Sequence, residues 1–238
     1  MTAAAAGRPR ARRRRRMFYV TAAVLTAAVV VLGFWPSFYG RGAALGPLKP
    51  LLVLHGAVFT VWLGLFLAQA ALVPAGRTDL HRKLGWASAA WAVVMVVLGV
   101  MAGLDTLRTG SAPPGIDLRQ FVMLPFGDIA IFAGLVGWAV AERRRPEWHK
   151  RLMTIATVGL LTPALARMPA LQAGGPAAFL GATALAVAAV IAFDWIAHRR
   201  PHPATLWSGA LVALGKPLLL FTVAVSPPWL GAMDALKG

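Results

Sequence analysis

The sequence predicts an all-α protein, a polytopic transmembrane helix bundle of about seven helices with its N-terminus inside and its C-terminus outside. Hydrophobic residues fill 58% of the 238 positions and charged residues only 13%, and a soluble domain of this size cannot hide so much apolar surface from water. The apolar residues also form runs long enough to cross a hydrocarbon core of about 30 Å. Basic residues gather between these runs.

Seven spans follow from the apolar runs, each bounded by a loop rich in basic residues, glycine or proline. They lie near residues 17–35, 50–74, 84–104, 120–141, 151–170, 177–197 and 206–225. The first span follows Arg15-Arg16, which resembles the start of a twin-arginine export signal. Its apolar run is long and has no clear small-x-small cleavage site, so we expect an uncleaved span.

Two of the spans contain helix-breaking residues. Pro163 and Pro169, with Arg167 between them, interrupt the fifth span, and Gly215-Lys216-Pro217 interrupts the last. If the fifth segment did not cross the membrane, six spans would remain, so six is the alternative count.

The basic residues predict the orientation. Seven arginines between Arg8 and Arg16 and ten further basic residues of the predicted cytoplasmic loops make 17 of the 24 lysines and arginines. This excess fits the positive-inside rule with the N-terminus inside and an odd number of spans. We therefore expect a multi-pass protein of the bacterial cytoplasmic (inner) membrane.

The arginine-rich arm, residues 1–16, is expected to be a disordered cytoplasmic tail ahead of a single transmembrane helical domain, residues 17–238. Its expected partner is the lipid bilayer, through anionic headgroups. The net charge of +16 also suits a nucleic-acid binder, but no aromatic-studded basic groove or recognition motif accompanies it. We expect no nucleic-acid partner, and the sequence identifies no protein partner.

Cysteine and the motifs that mark several common enzyme classes are missing from the sequence. The chain has no cysteine, which excludes thiol catalysis and iron–sulfur ligation. It contains no Walker loop, His-Glu-x-x-His motif, Gly-x-Ser-x-Gly elbow or Cys-x-x-Cys-His attachment site. No motif therefore supports an enzyme, and no metal is indicated beyond a haem iron.

Two histidine-led motifs repeat at the inner ends of spans: His81-Arg82-Lys83-Leu84 and His149-Lys150-Arg151-Leu152. Because facing imidazoles hold the iron in membrane cytochromes, His81 and His149 are the predicted cofactor-binding pair for haem b, with His198 as a substitute. Asp194 precedes His198 by four residues, so its carboxylate would orient that imidazole. The alternative is that these histidines anchor helix ends in the headgroups beside their basic neighbours.

Polar residues inside the spans form a second predicted site. His55, Asp128 and Arg167 all fall in the outer half of the membrane, where a charge is costly unless it has a partner. Gln69 lies on the same stripe of the second span as His55. These four residues predict a polar pocket for an anion, a quinone headgroup or a proton.

These motifs carry a resemblance. The segments 55–69, 76–85 and 149–153, together with Arg167, resemble a group of uncharacterised bacterial multi-spanning membrane proteins, domain-of-unknown-function families with His-Arg-x-x-Gly at helix starts. The similarity covers about residues 50–170 and implies a polar set made of His55, Gln69, His81, His149 and Arg167. Cytochrome-b561-like proteins are a looser analogy, because this chain lacks their paired mid-helix histidines at matching depth.

Three functions stay open at this point. The leading hypothesis is a small-ligand or cofactor-binding membrane protein, a haem-b or quinone-linked redox component. The second is a small-molecule or proton-coupled transporter that uses His55, Asp128 and Arg167 as a relay. The third is a structural or assembly subunit of a membrane complex.

Overall fold

The computed structural model describes residues 3–110, 112 and 116–237, with side chains from Met17 onward. In this part of the chain every regular element is helical and no strand occurs, so the predicted all-α class is confirmed. The helices are α1 (Ala3–Phe34), α2 (Pro50–Leu72), α3 (Thr78–Thr109), α4 (Leu118–Phe121), α5 (Met123–Ala141), α6 (Pro146–Gly159), α7 (Thr162–Leu165), α8 (Pro169–Ala173), α9 (Gly175–His198), α10 (Pro203–Ala213), α11 (Gly215–Leu218) and α12 (Pro227–Lys237).

Six helical segments are long and apolar enough to cross a membrane, so the chain is an integral multi-pass membrane protein. These segments are Met17–Tyr39, Pro50–Leu72, Thr78–Thr109, Leu118–Arg144, Gly175–His198 and Pro203–Val223. The last is broken where Gly215-Lys216-Pro217 predicts a break: α10 ends at Ala213, and α11 leads into a π-helical turn.

A seventh crossing is made by the interrupted segment α6–α7–α8. Near its start, Arg151 binds Asp194, which lies near the C-terminal end of α9. Near its end, the backbone of Ala164 lies against Gly33, at the far end of α1. The segment therefore passes from one end of the bundle to the other although no part of it is a long helix. Broken helices are tolerated at membrane depth when they are buried in protein, and Leu152, Ile155 and Ala164 are fully buried.

The first span starts at one end of the bundle, and α12 lies at the other. Phe18, near the start of the first span, stacks on Phe193, near the C-terminal end of α9. α12 lies at the opposite end, where Asp234 binds Arg119 and the Trp229 indole donates to the Arg119 carbonyl oxygen.

The described backbone of the arginine-rich arm is helical from Ala3 and continues into the first span. Alanine and arginine are good helix formers. The adjoining span already provides a helix nucleus, so each added residue only extends it.

Helices α5 and α6 lie at the centre of the bundle. Phe132 and Leu135 of α5 pack with Leu152 and Ile155 of α6, and all four side chains are buried. Because α6 begins directly after α5, this packing fixes where the α6 N-terminus lies.

Three connections meet at one end of the bundle, which we call the histidine end. They are the α2–α3 turn, the α5–α6 turn and the α9–α10 turn. Around them lie His81, His149, His198 and His202, which all line one cavity. The antiparallel order of the helices therefore gathers residues that are more than 100 positions apart in the sequence.

Candidate functional site

A cavity of about 1200 Å³ opens at the histidine end. Its walls come from α2, α3, α5, α6 and the α9–α10 turn. Apolar side chains form most of the deeper surface, and four histidines and several cations lie nearer the end of the bundle. The lining residues include Trp62, Phe66, Gln69, His81, His149 and Arg200.

His81 and His149, the predicted pair, lie next to each other in this cavity. Their ring centroids are 6.2 Å apart and their ring planes are nearly perpendicular, at 89°. Two imidazoles that bind one metal ion from opposite sides, with metal–nitrogen bonds of about 2.0 Å, have centroids roughly 6 Å apart. The observed spacing therefore matches that of two axial ligands.

Hydrogen bonds to the main chain set which nitrogen of each ring is available. The Nδ1 atom of His149 lies 2.8 Å from the carbonyl oxygen of Ala139, and Nδ1 of His81 lies 3.3 Å from that of Gln69. A carbonyl oxygen only accepts, so each Nδ1 carries the proton and donates it. These main-chain bonds leave Nε2 of each ring as the atom that can bind a metal, the arrangement usual for ligating histidines.

His198 lines the same cavity and lies beside Asp194, four residues earlier on α9. The His198 Nδ1 and Asp194 Oδ1 atoms are 3.6 Å apart, too far for a hydrogen bond. Both Asp194 oxygens are bound by other groups: Arg151 Nε and Nη2 donate to them at 2.8 and 2.7 Å, and the Thr205 hydroxyl donates as well. The Asp194 carboxylate therefore accepts its hydrogen bonds from Arg151 and Thr205 and not from His198.

His202 has a local structural role. Its Nδ1 accepts a hydrogen bond of 3.1 Å from the Ala204 N–H at the start of α10. Burial, and then the charge of Arg151, lower the pKa of His202. A neutral ring with an accepting Nδ1 caps the helix, so His202 is a poorer metal ligand than His81 or His149.

Arg151, not identified as a site residue from the sequence, joins α6 to α9. Its guanidinium is 1% exposed and binds Glu147 at 2.5 Å in addition to Asp194. Lys150 also donates to Glu147, at 2.6 Å. The spacing of Glu147 and Arg151, four residues apart on one helix, was the available sequence signal.

The predicted outer pocket is not assembled as expected. Gln69 lies in the cavity at the histidine end. His55 stacks on Phe59, with ring centroids 4.2 Å apart. Arg167 lies over the Phe34 ring at 4.3 Å and donates to the Pro163 carbonyl oxygen. The guanidinium is within electrostatic range of His55, but Asp128 joins neither.

Asp128 instead forms a buried ion pair with Lys216, with 2.5 Å between Nζ and Oδ1. Lys216 also donates to the Gly159 carbonyl oxygen and to the Thr162 hydroxyl. Gly159 is the last residue of α6, so its carbonyl is one that a helix end leaves without an intrahelical partner. Lys216 thus closes the break between α6 and α7.

The donor set suits a haem iron better than a bare metal ion. Among residues with described side chains, no three His, Cys, Asp or Glu residues form a group that would hold a metal ion. A haem iron takes its equatorial ligands from the porphyrin and needs only axial ones from the protein. Two paired imidazoles are therefore sufficient.

Comparison of this chain with protein-family models, curated proteins and solved structures finds no match.

Proposed function

We propose that this protein is a membrane-bound b-type cytochrome that binds one haem b between His81 and His149 and acts as an electron-transfer component. The observation that carries the proposal is the pair itself: two imidazoles with centroids 6.2 Å apart, each bound through Nδ1 to a main-chain carbonyl. Both lone pairs that remain are on Nε2, the atom that would bind iron.

The cavity surrounding the pair supports a porphyrin as the ligand. Trp62, Phe66, Val136 and Val140 contribute aromatic and aliphatic surface, which suits a flat apolar macrocycle. The volume of about 1200 Å³ also suits a ligand of this size.

Basic side chains on the cavity wall support a ligand that carries carboxylate groups. Lys150 and Arg200 line the cavity. Haem b carries two propionates, and these are most stable beside ammonium and guanidinium groups.

When bound, haem supplies one-electron redox chemistry. The protein's contribution is to fix both imidazoles, exclude water with the aromatic wall and balance the propionate charge. His81 and His149 would together hold the iron, which would favour electron transfer over oxygen binding.

We also propose that the histidine end faces the cytoplasm of a bacterial cell, with the arginine-rich arm against anionic lipid headgroups. The support is the excess of basic residues on that side of the predicted spans.

The first experiment is a reduced-minus-oxidised visible spectrum of the detergent-purified protein, expressed with a haem precursor. We expect a sharp α band of the b type and one haem per chain. His81→Ala and His149→Ala should each lose the band. His55→Ala is the matched control and should keep it, because His55 is not among the cavity residues.

A flat spectrum from folded protein contradicts the proposal, as does a band that survives both cavity substitutions. Either result favours the transporter or assembly hypotheses. For the transporter hypothesis, the structure pairs Asp128 with Lys216 and not with Arg167.

A further inference from the structure

A cluster of two arginines and a tryptophan lies on the surface of the bundle at the histidine end, outside the cavity. Arg143, in the turn after α5, places its guanidinium 5.4 Å from the centre of the Trp86 ring of α3. Arg82 precedes Trp86 by four residues, so the two lie on the same side of α3. Trp86 is 62% exposed, and both arginines are exposed as well. We call these three residues the Trp86 cluster.

The two guanidiniums of the Trp86 cluster carry charge that the protein does not balance. The acidic residues at the histidine end are bound to other cations, in the pairs Asp79–Arg77, Glu142–Arg145, Glu147–Arg151 and Asp194–Arg151. Among residues with described side chains, Arg143 donates only to the Val140 carbonyl oxygen, at 3.2 Å, and Arg82 forms no ion pair. An anion beside the cluster would therefore meet two uncompensated positive charges.

An exposed apolar stripe continues along α3 from the Trp86 cluster. Val93 and Val100 follow Trp86 at intervals of seven residues, which places them on the same side of the helix, and both are exposed. Tryptophan is enriched where headgroups meet hydrocarbon in membrane proteins. The Trp86 cluster therefore lies at the depth of the headgroups, and the two valines lie beside the acyl chains.

The surface of α5 next to this stripe is recessed. Ile129 of α5 fits against Gly99 of α3, and Leu219, directly after α11, fits against Gly127 on the other side of α5. Between these contacts α5 exposes only small residues: Ala130, Gly134, Gly137 and Ala141. A Cβ added at Gly134 or Gly137 would meet no atom within 4 Å. The space beside these glycines is therefore open to the membrane, and it leads toward the turn that carries Arg143.

The chemistry of the cluster and of the surface below it defines the ligand. Guanidinium groups bind phosphate oxygens through paired N–H donors. The exposed valines and the recess of α5 suit a flexible acyl chain, which a free phosphate lacks. A zwitterionic headgroup would bring its own cation toward two arginines, so a lipid with a net negative charge is favoured.

We propose that this surface binds one anionic glycerophospholipid from the leaflet at the histidine end. Its phosphate lies beside Arg82 and Arg143, its glycerol backbone lies near the Trp86 ring, and one acyl chain follows the recess of α5. The site does not depend on haem, because Arg82, Trp86 and Arg143 are not among the residues that line the cavity.

The test is native mass spectrometry of the delipidated, detergent-purified protein titrated with dioleoylphosphatidylglycerol. We expect one lipid per chain to bind roughly tenfold more tightly than dioleoylphosphatidylcholine does, because only the first has a net negative headgroup. Glycerol phosphate, which has the phosphate but no acyl chain, should not bind at the same concentrations.

Single substitutions locate the site. Arg82→Gln and Arg143→Gln should each weaken phosphatidylglycerol binding roughly fivefold. Arg144→Gln is the matched control, since it removes the same charge from an exposed position of the same turn, and it should bind as the parent does. Gly137→Leu fills the recess without meeting a neighbouring atom through its Cβ, so it should weaken both lipids roughly fivefold.

Four results would overturn the site. Equal affinity for the two lipids would remove the requirement for a negative headgroup. An equal loss of binding in Arg144→Gln would show general attraction to the basic surface. Binding of glycerol phosphate as tight as that of the lipid would remove the acyl chain from the interaction. A dimer that Gly137→Leu dissociates, without selectivity for phosphatidylglycerol, would assign the recess to a second copy of the chain.

Discussion

Lys216 forms an ion pair with Asp128 inside the bundle, and both side chains are less than 10% exposed. The two residues lie on α11 and α5, and Lys216 reaches the end of α6 as well. One cation therefore ties three elements together at the point where the interrupted crossing changes direction.

We expect Asp128→Asn and Lys216→Met each to lower the free energy of unfolding by about 3 kcal/mol, because each leaves a buried charge without its partner. The double substitution Asp128→Leu, Lys216→Leu should cost less than the sum of the two single effects. Thermal unfolding in detergent measures this. Lys49→Met breaks the more exposed Lys49–Asp105 pair and should change stability by less than about 1 kcal/mol. Equal effects of the buried and exposed substitutions would contradict the structural role.

The stability that the Arg151–Asp194 ion pair provides should depend on the geometry of the pair. Arg151→Lys keeps the charge but removes the two-pronged contact with the carboxylate. We expect a loss of about 2–3 kcal/mol in unfolding free energy, and weaker haem retention because α6 also carries His149. Arg144→Lys, at an exposed position, is the control. Unchanged stability in Arg151→Lys would mean that charge alone holds α6 to α9.

Gly33 allows α1 to approach the interrupted crossing closely. A Cβ at this position would overlap the main chain of Ala164, so Gly33→Ala should separate the helices and cost about 1–3 kcal/mol. Gly64→Ala is the matched substitution, since a Cβ there meets no atom within 4 Å. It should be neutral or stabilising by up to about 1 kcal/mol. The measurement is the unfolding midpoint of both variants, and a reversed order would exclude close packing at Gly33.

Substitution of His198 distinguishes between the two possible ligand pairs at the histidine end, His81 with His149 and His149 with His198. Its Nδ1 has no hydrogen-bond partner among the described residues, so its ring is less firmly oriented than those of His81 and His149. His198→Ala should therefore keep the α band at its parent intensity, measured by difference spectroscopy. Loss of the band in His198→Ala, with retention in His81→Ala, would assign the iron to His149 and His198.

The sequence by itself determined the membrane class, the order of the spans and the gathering of basic residues at one end. These features depend on composition and on segment length, because each segment enters the bilayer according to its own residues and flanking charges. The repeated histidine motifs were identified in the same way, because each lies at the start of a segment. Their joint position in one cavity follows from the antiparallel order of the helices.

The partners of the buried charges were decided only by tertiary structure. Asp128 was expected to meet His55 and Arg167, but helix rotation directs it to Lys216. Gln69 was grouped with His55 by its position on one helix, yet neighbouring helices place it in the cavity with His81. The helical period relates residues along one helix, whereas contacts between helices depend on how side chains pack across the whole bundle.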